Sequence, residues 1–162
     1  MHKIIIAIAF TIITSCNAFA IEKADRVEVV KSTKTLSLFK GDNLIERYSV
    51  VFGGNPVGPK QQDGDKRTPE GVYVLDFKKA DSAFHKAIHI SYPNEHDVEY
   101  SRKRGVSPGG AIMVHGQKNG FGWASFLTQQ FNWTNGCIAL SNKNMESVWE
   151  AVDAGTLIEI KP

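Results

Sequence analysis

Two residues of this chain have the types needed for covalent chemistry. Cys137, in the segment FNWTNGCIAL, is the cysteine that remains once the first twenty residues are set aside. A lone thiol beside a glycine in an exported protein reads as a nucleophile rather than as half of a disulfide. Such a nucleophile needs a base to take its proton, a group to orient that base, and donors for an oxyanion. His115 is the candidate base. It follows the apolar run Ala111-Ile112-Met113-Val114 and precedes Gly116, so it lies where a buried strand opens into a loop. There one ring nitrogen can face the thiol while the other donates to a nearby carbonyl, which fixes the tautomer. Alone, such a histidine would be read as satisfied at the core edge; beside a lone cysteine it becomes a catalytic candidate. Gly136 lets the backbone approach closely, so the amides of Gly136 and Cys137 are candidate oxyanion donors.

The elements that must hold these residues are mostly strands. Arg26 to Lys31 and Thr35 to Lys40 alternate apolar and polar residues, and the turn cluster Lys40-Gly41-Asp42-Asn43 precedes Leu44 to Phe52. Together they predict a β-meander. The stretch from Gly53 to Gly71 is rich in Gly, Pro and Asp and reads as a long irregular connection, within which Thr68-Pro69-Glu70-Gly71 is a turn. Further strands are expected at Val72 to Phe77, Ala87 to Tyr92, Ala111 to Val114 and Thr156 to Ile160. One segment has a helical period: Met145, Val148, Trp149 and Val152, with Ser141 or Asn142 as cap and Gly155 as stop. The class is mainly β with a small α contribution, the helix following the cysteine.

At the N-terminus, Met1-His2-Lys3 and the apolar run Ile4 to Ile13 form a basic start and a hydrophobic stretch too short to span a bilayer. Ala18-Phe19-Ala20 then offers a signal-peptidase site, which predicts a signal peptide over 1–20 and a mature domain over 21–162. A competing reading takes Ile13-Thr14-Ser15-Cys16 as a lipobox that lipidates Cys16 and anchors the protein in the membrane. Both readings place the protein in the periplasm or cell envelope. No later segment approaches transmembrane length. About 140 residues suffice for one compact domain. The net charge is +2, with acids and bases interspersed except at Arg102-Lys103-Arg104, and no nucleic-acid signature accompanies that basic loop. His85, His89, His96, Glu95 and Asp97 invite a metal reading, but a strand over Ile88 to Tyr92 would set His85 and His89 roughly 13 Å apart. No metal or other cofactor is expected.

The blocks NPVGPKQQDGDKRTPEGVY, HISYP, GVSPGGAIMVHG and TNGCIAL, with the helix behind them, resemble the L,D-transpeptidase catalytic domain, also called the YkuD domain, from about Arg26 to Ile160. The resemblance implies a β-sandwich-like fold and a cysteine enzyme of cell wall biogenesis and cell shape, whose partners are peptidoglycan stem peptides. Members attack the L-to-D bond of a tetrapeptide stem, usually after meso-diaminopimelate, form a thioester and pass the acyl group to an amine. It makes Cys137 the nucleophile and His115 the base, oriented by the Gly116 carbonyl, with amides near Gly136 and Cys137 as the oxyanion hole. Thr134, Asn135, Trp123 and, more weakly, Tyr92 are substrate-groove candidates. Trp123 and Phe126 have two readings, a mobile lid over substrate or packing at the sandwich edge.

Two motif positions depart from the common family pattern. Asn135 stands where a histidine is usual, and Ala139 stands where an arginine or asparagine is usual. These changes leave the acyl acceptor open. Water in place of an amine would make the protein a peptidase of stem or protein-to-wall crosslinks. A silent wall-binding module is the remaining alternative, disfavoured because such a module has no reason to keep an oxidisable thiol.

Overall fold

The computed structural model describes residues 22–162; the expected signal peptide and the alternative lipid site at Cys16 lie outside the described residues. Alternating patterning produces β1 (Ala24–Val30), β2 (Thr35–Lys40) and β3 (Asn43–Ser49), which pair antiparallel as the expected meander. β4 (Gly71–Ser82) and β5 (His85–Ile90) form a hairpin, followed by β6 (Met113–His115), β7 (Ile138–Ala139) and β8 (Val152–Lys161).

All eight strands belong to one sheet, in the order β3-β2-β1-β8-β4-β5-β6-β7. The mainly β class is as expected, and both layers of the sandwich come from this one curled sheet. Val51, just beyond edge strand β3, bridges to Ala139 in β7 at the opposite edge. The two edges are thereby drawn together around a core that includes Val29, Leu38, Phe52, Ile88, Ile138 and Ile158, all fully buried.

Several elements differ from expectation, three of them for identifiable reasons. β3 stops at Ser49 rather than Phe52, because Val50, Val51 and Phe52 are buried consecutively as the chain crosses to the far edge. α3 (Asn142–Ala151) is capped by Ser141, whose hydroxyl accepts from Asn144 N, and buries Met145, Val148 and Ala151. It ends before Gly155 because Val152 is already extended and enters β8. α1 (Glu95–Lys103) was not expected. Its one buried residue is Ser101, so no apolar period marks it. A reciprocal capping box between Asn94 and Asp97 starts it, with acids in the first turn and Arg102 and Lys103 in the last.

Phe52 couples the core to the segment that carries the cysteine. Its amide donates to Asn132 Oδ1 at 3.0 Å, while its carbonyl accepts from Thr134 N at 3.1 Å. Phe52→Ala is expected to destabilise the fold by about 3–5 kcal/mol, measured by urea denaturation, and to raise the exposure of Cys137 to thiol reagents below the unfolding transition.

Candidate active site

Strand parity explains how His115 and Cys137 meet. β6 and β7 run parallel, with Val114 opposite Ile138 and His115 opposite Ala139. Side chains two residues apart on a strand share a face, so Cys137 falls on the face of Ala139, and Ala111 and Met113 fall on that of His115. Cys137, Ala111, Met113 and His115 line one cavity of about 520 Å³ with Ala87, Phe84, Trp133, Thr134 and Asn135. Ile138 and Val114 point the other way, into the core.

The imidazole is fixed from one side. His115 Nδ1 donates to the Gly116 carbonyl at 2.6 Å, which leaves Nε2 as the lone-pair nitrogen. The ring is 4% exposed and lies between Phe84, at 4.7 Å, and Trp133, at 5.9 Å between ring centroids. Burial lowers its pKa below the usual histidine value, against the opposing Gly116 hydrogen bond. The thiol is affected in the opposite sense. Burial raises the Cys137 pKa, countered by a hydrogen bond from the Met113 backbone and by the charge of Lys60. Both shifts favour the uncharged forms, so a neutral thiol and a neutral imidazole share the cavity. Cys137 Sγ–H points to the Ala111 carbonyl at 3.7 Å. Ala111 itself has φ +53°, a left-handed conformation that costs a non-glycine residue about 1 kcal/mol.

The turn before the nucleophile is held by Thr134. Its hydroxyl donates to the Cys137 carbonyl at 2.7 Å and accepts from Gly136 N at 3.1 Å. Gly136 has φ +128°, and a Cβ there would lie 2.7 Å from the Arg67 carbonyl, so glycine is required. Of the two expected oxyanion donors, the Gly136 amide is thus already committed within the turn, and Cys137 N–H remains. The Thr134 hydroxyl is likewise spent on the backbone, which makes Thr134 a positioning residue rather than a substrate ligand. Asn135 is exposed and lines the cavity.

Two expected groove residues lie elsewhere. Tyr92 is 3% exposed; its hydroxyl donates to the Pro108 carbonyl and its ring packs edge-on against Tyr73 in the core. Trp123, in a 3-10 turn (Gly122–Ala124), is 72% exposed and does not line the cavity, nor does Phe126 in α2 (Ser125–Thr128). This excursion is tied down by Gln117, which is buried, receives Thr128 Oγ1 and donates to the Leu140 carbonyl at 2.6 Å. Phe84 and Trp133 were not anticipated. Trp133 precedes the motif closely enough to be suspected from sequence, whereas Phe84 arrives from the β4–β5 turn. Among the described residues no three His, Cys, Asp or Glu side chains converge as a metal set; His85 pairs with Glu146 and His89 with Asp76. No helix among them is long and apolar enough to cross a membrane.

Comparison with known proteins identifies the family and the fold. The family model described as the L,D-transpeptidase catalytic domain (YkuD) matches residues 24–160. The chain is 29% identical over 142 residues to the protein named "Putative L,D-transpeptidase YafK" of Escherichia coli strain K12, covering 84% of this chain and 50% of that protein. The chain thus spans about half the length of the curated relatives it matches. Its fold is similar to that of the helical cell shape determining protein Pgp2 from Campylobacter jejuni, with a TM-score of 0.65 and 24% identity over 87% of this chain and 49% of that one. An L,D-transpeptidase from Mycobacterium smegmatis gives a TM-score of 0.56 at 15% identity, over 86% of this chain and 59% of that one.

Two expectations follow. Between the depressed folded value of His115 and the usual 6.5, the unfolded chain binds more protons than the folded one. The stability tied to His115 is therefore fully present above the usual value and is lost as pH falls through the lower one. Alkylation of Cys137 by iodoacetamide is expected to persist down to that lower value in the wild type, whereas His115→Ala should show a single inflection at or above the ordinary thiol value. Superimposable profiles would remove His115 from the role of base. Thr134→Val removes both turn hydrogen bonds at nearly constant volume and is expected to cost about 1–3 kcal/mol and to slow alkylation, with Thr134→Ser restoring both in denaturation and labelling assays.

Proposed function

The chain belongs to the L,D-transpeptidase catalytic domain family, and from that premise we propose that it is a peptidoglycan L,D-transpeptidase working through a Cys137 thioester. The observation that carries this reading is the shared cavity of Cys137 and His115, with Nδ1 held by Gly116 and Nε2 left free. In the first half-reaction Sγ attacks the carbonyl carbon on the L side of an L-to-D bond in a tetrapeptide stem, and Nε2 takes the thiol proton. The tetrahedral oxyanion is met by Cys137 N–H. As the C–N bond breaks, the imidazolium returns its proton to the departing D-amino acid, and the thioester remains. In the second half-reaction an amine attacks the thioester carbonyl, loses its proton to Nε2, and expels the thiolate, which is then reprotonated. Action in the periplasm or envelope, after removal of residues 1–20, belongs to this proposal, as does a role in wall biogenesis or cell shape.

Hydrolysis is the second reading, and one observation favours it. Among the described residues no aspartate or glutamate lines the cavity, so no carboxylate there attracts a protonated amine ahead of water. Incubation of tetrapeptide muropeptides with the protein and an added amine acceptor, followed by mass spectrometry, tests both. New dimers or exchange of the terminal D-amino acid, absent in Cys137→Ala, are the expected result. Shortened stems without dimers would establish water as the acceptor, and unchanged muropeptides in both samples would remove the stem peptide as donor.

A further inference from the structure

The ladder that aligns the catalytic pair continues into β4. Lys79 is opposite Ala87, and Ala87 is opposite His115, so the three occupy one row across three strands. Ladder partners present their side chains to the same face, and strands lie about 4.8 Å apart. Lys79 thus stands roughly 10 Å from His115, with only the methyl group of Ala87 between them. Lys118, just beyond Gln117 on the chain leaving β6, lines the same cavity from another wall.

Neighbouring cations have assigned partners. Lys78 Nζ donates to the Trp149 and Val152 carbonyls, and Lys86 pairs with Glu146. Lys79 and Lys118 have no carboxylate within salt-bridge distance among the described residues; Lys118 Nζ is 5.8 Å from the Phe121 ring centroid. Among the described residues, the only formally charged side chains lining the cavity are therefore these two exposed cations, set beside alanines, aromatic rings and the polar Ser82, Thr134 and Asn135, with no acid to neutralise them. A site of that character favours an anionic ligand, because it presents positive charge with no carboxylate to compensate it.

We propose that Lys79 and Lys118 are specificity residues that hold carboxylates of the acyl donor. This rests on the L,D-transpeptidase reading for the donor itself, but not for the charge preference of the site. Two carboxylates of a stem peptide present the required chemistry: the terminal carboxylate of the departing D-amino acid and the side-chain carboxylate of diaminopimelate. A lysine that binds the first would favour cleavage at a free chain end. One that binds the second would select the residue whose carbonyl is attacked.

The charge preference is tested without peptidoglycan by comparing alkylation of Cys137 by iodoacetate, an anion, with alkylation by neutral iodoacetamide. In Lys79→Gln and Lys118→Gln the iodoacetate-to-iodoacetamide rate ratio is expected to fall about threefold each, with a larger fall in the double variant. Lys→Arg variants should keep the wild-type ratio. An unchanged ratio in the double Gln variant overturns the proposal. With tetrapeptide donors, each Gln substitution should lower kcat/KM about tenfold or more. That loss should vanish for the donor whose matching carboxylate is amidated, which identifies the carboxylate each lysine holds. Equal losses with carboxylate and amidated donors would overturn the assignment. A charge-dependent alkylation ratio with no turnover of any muropeptide would keep the lysines as anion-binding groups and overturn the stem-peptide reading instead.

Discussion

The site depends on a parallel pairing only two residues long. β6 and β7 meet at Val114–Ile138 and His115–Ala139, and this register alone puts the imidazole and the thiol on one face of the sheet. A slip of one residue would turn Cys137 into the core and bring Ile138 out. So short a ladder cannot hold its own register. It is fixed from outside by Leu140 N donating to the His115 carbonyl, by the paired bonds between Val51 and Ala139, and by Thr134 N donating to the Phe52 carbonyl. The crossing segment that closes the curled sheet is therefore also what aligns the candidate catalytic residues.

Burial acts on His115 and Cys137 in the same sense, disfavouring imidazolium and thiolate alike, which leaves the neutral pair that the proposed base-assisted attack requires. A permanently ionised thiolate would need a cationic partner, and the aromatic enclosure by Phe84 and Trp133 offers none at the ring. The left-handed Ala111 and the Gly136 turn are local conformations of higher energy that the surrounding hydrogen bonds must hold in place. Both lie beside the sulfur, where they fix the direction of the thiol.

Sequence made the chemistry legible because it is local. Cys137, His115 and Gly116 stand in short contiguous segments, and α3 announces itself through a cap and an apolar period. What sequence left hidden is set by pairing. β7 is too short to show alternation, and Lys79, Ala87 and His115 become neighbours only through register. α1 is stabilised at its ends rather than on a buried face, so its signal lay in Asn94 and Asp97, not in hydrophobicity. Tyr92 could have been placed correctly: Ile88, Ile90 and Tyr92 share one parity, and all three are buried. That pattern marks a core face, and proximity to a motif is weaker guidance than parity.

The same reasoning changes the meaning of Ala139. As a motif position it is a missing polar group; in the structure it is fully buried, opposite His115, with both backbone groups bonded to Val51. Its side chain sits where the two edges of the sheet close and is fully buried, so a longer residue there would have to displace what packs around it. A small residue at this point lets the edges approach closely, and Ala139 itself is not among the residues that line the cavity. The departure from the family motif is then a matter of space as well as of chemistry. Polar recognition is left to the residues of the walls, Asn135, Lys79 and Lys118, which reach the cavity without disturbing the closure of the sheet.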